Sequence, residues 1–170
     1  KANIYKEFYK IKHKSKKFLS ESVYGLSELN EKKIRDSRII ACPGCYPTSI
    51  IIPLLPLLKV NLLKKNKIII DSKSGYSGAG RSILKNAKKI NLFDTLKAYG
   101  IPNHRHNAEI KQELTIFSKK LKFYFVPHIL PMFRGILSTI YVEKNNDNIS
   151  TDKILNYLKK FYKKQKFIRI

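Results

Sequence analysis

Two cysteines three positions apart, Cys42 and Cys45, could form more kinds of functional site than any other residues in this sequence. They lie in a CPGC segment whose Pro-Gly pair predicts a tight turn between a short strand and an apolar helix. Backbone amides at a helix start stabilise a thiolate. That context fits a redox dithiol, a zinc site with His104 and His106, or a lone nucleophile at Cys45 with a histidine partner. The simplest alternative is two inert buried thiols.

A glycine-rich loop follows the buried strand that is predicted over residues 67–71. Residues 74–81 (SGYSGAGR) contain Gly75, Gly78 and Gly80, which allow a ligand to approach the backbone closely. Loop amides before a helix favour an anion, and Arg81 adds a positive charge. The pattern matches neither the dinucleotide fingerprint nor the P-loop, so no dinucleotide site is predicted, and an ordinary loop is the alternative.

A third cluster combines two histidines with charged side chains. His104, Arg105 and His106 precede Glu109 by a few residues. Such a group could activate a thiol or bind a carboxylated substrate. The alternative is a histidine pair that only caps the helix beginning near residue 108. His128 follows a proline in an apolar segment, and we predict a structural role for it.

The charge balance is unusual, with 35 Lys and Arg against 12 Asp and Glu and a net charge of +23. A basic surface would suit nucleic acid, which makes an RNA-binding domain one alternative function. However, six of the 35 cations are arginine, the residue of bidentate phosphate recognition. Lysine, isoleucine and asparagine have A+T-rich codons, so compositional drift is the favoured explanation, and no nucleic-acid partner is predicted.

Length and hydropathy indicate one soluble domain. The chain has 170 residues, of which 43% are hydrophobic, and its longest apolar stretch, 50–58, contains two prolines. No segment is long enough to span a membrane, and the first residues lack the apolar region of a secretory signal. Two cysteines cannot form a disulfide scaffold. We therefore predict a cytoplasmic location and no membrane partner.

Periodicity and turn residues place these segments on alternating helices and strands. Ser27 is predicted to cap the first helix. The class is predicted as α+β. Helices are predicted over 27–35, 48–59, 82–89, 108–117 and 150–162, and strands over 38–41, 67–71, 96–100, 120–126 and 136–142, with a further strand starting at 167.

Four segments together resemble the N-acetyl-gamma-glutamyl-phosphate reductase family, whose relatives include aspartate-semialdehyde dehydrogenase and, more distantly, glyceraldehyde-3-phosphate dehydrogenase. The order and separation of the segments are specific, and the resemblance covers about residues 20–170. They are 42–48 (CPGCYPT), 71–81 (DSKSGYSGAGR), 104–114 (HRHNAEIKQEL) and 125–139 (FVPHILPMFRGILST), supported by 23–29 (VYGLSEL).

The resemblance implies reduction of an acyl phosphate to an aldehyde with NADPH through a cysteine thioester. Cys45 would be the nucleophile and His104 or His106 the acid/base partner, with His104 favoured. No metal is implied. The substrate-binding residues it implies are Arg105, Glu109, Arg134, Ser74 and Arg81, and the residues nearest the nicotinamide of NADP(H) are Ser77, Gly78 and Gly80.

This sequence departs from the family pattern at three places. The family often has asparagine where Cys42 stands, which makes Cys42 a bystander and weakens the redox interpretation. Asn107 and Ala108 replace a Thr-Pro pair. The family's dinucleotide-binding half and its final segment have no counterpart here. We therefore expect a fragment that does not turn over alone, with 1–20 as the end of the cofactor half and 21–170 as the catalytic and dimerisation domain.

The fold expected from the resemblance is α+β, with a mixed, largely antiparallel sheet and helices on one face. Homo-oligomers are expected in the intact enzyme, with the other sheet face packed on a partner subunit.

Overall fold

A computed structural model describes residues 2–80, 85, 91 and 93–170 of the chain. The helices described over their full length are α1 (Ala2–Tyr9), α2 (Ser27–Arg35), α3 (Cys45–Lys59), α4 (His106–Leu114) and α5 (Thr151–Phe161). The strands are β1 (Ser22–Tyr24), β2 (Ile39–Ala41), β3 (Lys67–Gly75), β4 (Lys97–Ala98), β5 (Lys122–Leu130) and β6 (Ile136–Tyr141). Short 3-10 turns occupy Lys16–Leu19 and Tyr76–Gly78.

The main sheet has four strands in the order β4-β5-β3-β6. The central pair, β3 and β5, is parallel from Lys67 opposite Lys122 to Gly75 opposite Leu130. The outer pairings, β3 with β6 and β4 with β5, are antiparallel. β1 and β2 form a separate parallel pair. The prediction of a mixed, largely antiparallel sheet in an α+β fold is confirmed.

One face of the main sheet forms the core with the helices. Alternate residues of β3, including Ile68 and Ile70, are fully buried, as strand geometry requires when only one face is covered. α3 lies over this face with Ile50, Leu54 and Leu58 buried, and α4 and α5 pack against α3. Truncating Leu54 or Leu58 to alanine would lower the free energy of unfolding by about 2–5 kcal/mol.

α3 continues through two prolines, Pro53 and Pro56, although a proline inside a helix ordinarily kinks it. A proline at position 56 has no N–H to bond the carbonyl of residue 52, so that carbonyl is freed inside the helix. In this fold the Tyr162 hydroxyl, just after α5, donates to the Ile52 carbonyl oxygen at 2.6 Å. A hydroxyl at the C-cap of α5 therefore replaces the hydrogen bond that Pro56 removes.

The opposite face of the sheet carries large side chains that no described helix covers. We call it the open sheet face, and at its centre Asp71 pairs with Lys73 and lies 3.1 Å from Nδ1 of His128. Exposed apolar side chains surround this polar cluster. They are Ile69, Tyr124, Leu137 and Tyr141.

Several local predictions differ from the structure. The N-cap of α2 is Leu26, and Ser27 Oγ lies 3.0 Å from Glu28 instead of capping the helix. On α5, the helical period also predicts Leu155 and Phe161 on the core side, but they are 39% and 37% exposed, because Leu158 and Tyr162 define its buried side. Residues 167–170 form no strand. The helix predicted at 82–89 lies outside the described residues apart from residue 85, which is helical.

α1 was not predicted, because the lysines around it obscure its apolar period.

None of the described helices has the length and hydropathy that crossing a membrane requires.

Candidate active site

A cavity of about 620 Å³ opens at the end of the sheet where α3 begins. Three segments line it: residues 44–46 at the start of α3, residues 78–80 after β3, and Tyr99 with residues 104–106 before α4. Each of these segments was singled out for chemistry from sequence, apart from Tyr99. The fold thus brings the CPGC turn, the glycine loop and the histidine pair to one place.

The turn before Cys45 is fixed through both backbone polar groups of one residue, Gly44. Gly44 is the N-cap of α3, and its N–H donates to Oε2 of Glu109 at 2.9 Å. Its carbonyl accepts from the Thr48 N–H at 3.0 Å and the Thr48 hydroxyl at 2.9 Å. Cys45 is the first helical residue, and its thiol is free and exposed. The nucleophile candidate therefore stands on a braced turn at a helix N-terminus, where backbone amides favour an anion.

His106 packs directly against this turn. A Cβ built on Gly44 would lie 2.5 Å from Nε2 of His106, so the two residues are in contact and only glycine fits. His106 is 6% exposed.

Gly44→Ala should therefore push His106 away from the nucleophile turn. We expect about tenfold slower alkylation of Cys45 by iodoacetamide and a loss of about 1–3 kcal/mol of stability from overpacking. Peptide-resolved alkylation and urea unfolding would measure the two effects.

The matched control is Gly78→Ala, whose new Cβ would lie 3.2 Å from the Ser74 hydroxyl, a contact that needs a small adjustment. Equal effects of the two substitutions would contradict the role given to the Gly44–His106 contact.

The two histidines are held as neutral bases. Burial lowers the pKa of His104 to about 4, and the positive charge of Arg105 adds to the effect. Burial also lowers the pKa of His106 to about 4, assisted by His104 and Arg105. Their ring centroids are 4.7 Å apart. A neutral imidazole can accept a proton, which a thiol must lose before it attacks.

Hydrogen bonding distinguishes the two rings. The backbone N–H of His106 donates to Nδ1 of His104 at 3.2 Å, so neutral His104 carries its proton on Nε2. Nδ1 of His106 is buried and has no hydrogen-bond partner among the described residues. His104 is thus arranged as a donor through Nε2, and His106 has a ring nitrogen unoccupied.

Two tyrosines of the site were missed in the sequence. The Tyr46 hydroxyl donates to the His128 carbonyl at 3.0 Å, which ties α3 to β5. The Tyr99 hydroxyl lies 3.4 Å from the Tyr46 hydroxyl, and burial raises the pKa of both phenols. Tyr46 lies within the CPGCYPT segment and Tyr99 within the strand predicted over 96–100, but a lone tyrosine carries no spacing signal.

Most of the predicted site residues meet in the cavity. It is lined by Cys45, His104, Arg105, His106, Gly78 and Gly80. Arg81 lies outside the described residues.

The other four predicted residues lie around the cavity without lining it. Ser74 is buried, with its hydroxyl donating to the Gly75 carbonyl at 2.9 Å. Ser77 is exposed, and its N–H donates to the Phe133 carbonyl at 3.0 Å. Arg134 is exposed and stacks over the Phe133 ring at 5.1 Å.

Glu109, the fourth, lies behind Gly44 and lines a separate cavity of about 330 Å³. Cys42 lines that second cavity too, while Cys45 lines the first. Both thiols are free. Within the described part of the chain, Cys42, Cys45, His104 and His106 do not form a group that could hold a metal ion.

Comparison with known proteins places residues 45–170 in a described family. They match the model for the semialdehyde dehydrogenase dimerisation domain. N-acetyl-gamma-glutamyl-phosphate reductase of Clostridium novyi (strain NT) is 44% identical over 167 residues, which is 98% of this chain and 48% of that protein. A probable chloroplastic N-acetyl-gamma-glutamyl-phosphate reductase of Arabidopsis thaliana is 43% identical over 98% of this chain and 41% of its own length. This chain spans about half the length of the curated relatives it matches.

Solved structures support the same fold. Aspartate semialdehyde dehydrogenase II of Vibrio cholerae, complexed with ASA, superimposes with a TM-score of 0.57 at 13% identity. The match covers 85% of this chain and 50% of that one. At this identity the likeness concerns the fold alone.

Proposed function

This chain belongs to the semialdehyde dehydrogenase dimerisation-domain family, and we propose that it is the catalytic part of an NADPH-dependent N-acetyl-gamma-glutamyl-phosphate reductase of arginine biosynthesis. One observation supports the proposal above all: the exposed thiol of Cys45, on a braced helix N-terminus, shares a cavity with two neutral histidines and an arginine. That set suits attack on an activated acyl group by a thiolate.

In the proposed reaction the Cys45 sulfur attacks the acyl carbon of the acyl phosphate. A C–S bond forms, the C–O bond to phosphate breaks, and inorganic phosphate leaves. We assign the thiol proton to His106, because its imidazole packs against Gly44, the residue before the nucleophile. This choice replaces His104, which the resemblance favoured. His104 instead donates from Nε2 toward the oxygen on which charge develops.

Arg105 is the cation among the described residues that line the cavity. It is exposed at the cavity wall, where a phosphate or carboxylate can pair with its guanidinium through two hydrogen bonds. Its charge also helps to keep both histidines neutral, since it opposes their protonation. Arg105 thus serves substrate binding and acid/base tuning together.

The glycine loop fits the flat ring of a nicotinamide. Residues 78–80 form one wall of the cavity, and a Cβ built on Gly80 would meet nothing within 4 Å, so open space adjoins this wall. When bound, NADPH would supply the hydride that reduces the thioester to the semialdehyde. Gly78 and Gly80 would let the ring approach the reacting carbon, and Ser77, at the exposed edge of this loop, would sit beside the cofactor. Ser74 and Arg134 do not line the cavity, and they would support substrate binding from outside its wall.

A dimerisation-domain family implies assembly with a second copy. The open sheet face suits that role, because it exposes Tyr124, Leu137 and Tyr141 around a charged centre. We propose a homo-oligomer assembled through this face. A cytoplasmic location is likewise proposed, although the Arabidopsis relative is described as chloroplastic.

The half-reaction without cofactor tests the proposed function. The purified chain mixed with N-acetylglutamyl phosphate should release about one phosphate per chain in a burst and gain one N-acetylglutamyl group on the peptide containing Cys45. Phosphate release and peptide mass spectrometry would be measured together. Acylation elsewhere, or no acylation with the folded chain, would contradict the proposal.

A further inference from the structure

Three separate motifs of the sequence meet at one carboxylate. Oε2 of Glu109 accepts the N–H of Gly44 at 2.9 Å and the hydroxyl of Tyr24 at 3.1 Å. Gly44 belongs to the CPGC turn, Glu109 to the segment after HRH, and Tyr24 to the VYGLSEL segment, which has no part in the chemistry described above. This contact therefore gives the VYGLSEL segment a place next to the nucleophile turn.

The spacing of two residues on α4 explains how this helix contacts the CPGC turn at two points. His106 and Glu109 are three residues apart on one helix and so project from the same face. The His106 ring abuts the Cα of Gly44, and the Glu109 carboxylate binds its N–H. Any shift of Glu109 therefore changes where His106 lies relative to Cys45, because both act through Gly44.

Tyr24 donates a second hydrogen bond to the carboxylate oxygen that accepts the N–H of Gly44. Burial raises the pKa of Tyr24 well above its usual value, and the negative charge of Glu109 adds to this, so the phenol keeps its proton. A protonated hydroxyl is a permanent donor and limits the rotation of the carboxylate. Glu109 also lines the second cavity, behind the turn, and not the cavity that contains the thiol.

We propose that Glu109 is a positioning residue for Cys45, held in place by Tyr24, in place of the substrate-binding role expected from resemblance. The inference rests on the proposed function, because it takes Cys45 as the nucleophile. Glu109 acts only through Gly44 and touches no reacting atom.

Alkylation by neutral iodoacetamide tests this without any substrate. The background is Cys42→Ser, which leaves Cys45 as the single thiol, followed by intact-mass spectrometry at fixed pH. Glu109→Gln keeps an acceptor for Gly44 and Tyr24 and removes the charge, whereas Glu109→Ala removes both. Glu31→Ala, at an exposed carboxylate on α2, is the matched control.

We expect Glu109→Ala to slow alkylation about tenfold relative to Glu109→Gln, and Glu31→Ala to have no effect. Tyr24→Phe should slow it about two- to threefold in the parent and not at all beside Glu109→Ala, because its effect passes through the carboxylate. Circular dichroism would identify a variant that fails to fold, in which case Tyr24→Phe alone decides.

Parent-like alkylation of both Glu109→Ala and Tyr24→Phe would overturn the proposal. So would loss of acyl transfer in Glu109→Ala with unchanged alkylation, since that pattern belongs to a substrate ligand. Failure of the parent chain to accept an acyl group would count against the proposed function alone, because the alkylation series does not depend on it.

Discussion

Replacing Cys45 with serine should reduce acyl transfer from N-acetylglutamyl phosphate by at least about a thousandfold, whereas Cys42→Ser should stay within about twofold of the parent. A serine hydroxyl is far less ionised than a thiol and is the weaker nucleophile toward the acyl carbon. Cys42 lines a different cavity, behind Gly44, and meets no reacting atom. Rapid-quench phosphate release on both variants would measure the contrast.

The pair of cysteine variants also separates the proposed chemistry from a dithiol mechanism. A redox protein needs both thiols, so it would lose function equally in the two variants. Equal loss in Cys42→Ser and Cys45→Ser would therefore reject the assignment of Cys45 as sole nucleophile. Serine is close to cysteine in size, so neither substitution should disturb the start of α3.

Acidification from pH 6.5 to pH 4 should destabilise the fold, by about 3 kcal/mol through His106 alone. The unfolded chain binds a proton on this histidine below about pH 6.5, but the folded chain resists protonation until about pH 4. The folded state therefore has its full advantage above pH 6.5 and loses it as the pH falls toward 4. His104 adds a contribution of the same sign, reduced by its partial exposure.

Urea unfolding at half-unit pH steps, followed by circular dichroism, would measure this dependence. His106→Gln cannot be protonated, so its stability should change less between pH 6.5 and 4 than that of the parent. His13→Gln, at a histidine that does not line the cavity of Cys45, is the control and should keep the pH dependence of the parent. A parent chain equally stable at pH 4.5 and 7 would show that burial does not hold these rings neutral.

Much of the fold was predictable because its periodicities are local. The alternation along β5 and β6 and the apolar runs of β3 and α3 were recognised from the sequence. The start of α3 was placed at residue 48, but the helix begins at Cys45. Gly44, as N-cap, interacts with Glu109, 65 residues further along the chain. A helix boundary set by such a distant contact leaves no local signal.

In the candidate site, too, the residues with a local sequence signal could be predicted, and the contacts set by the fold could not. Cys45, His104, Arg105 and His106 could be identified because their types and order are distinctive. Glu109 and Arg134 were expected to bind substrate because the resemblance to the reductase family implied that role. Their placement depends on which way a helix face and a strand turn point, and sequence order does not reveal that direction.

The hydroxyl that Tyr162 provides to the Ile52 carbonyl has a consequence for the order of synthesis. The donor leaves the ribosome 110 residues after its acceptor. Throughout that interval the helix that begins with Cys45 has a gap in its hydrogen bonds at Pro56. The helix that begins with Cys45 therefore gains this hydrogen bond only after Tyr162 has been translated and α5 has packed against α3.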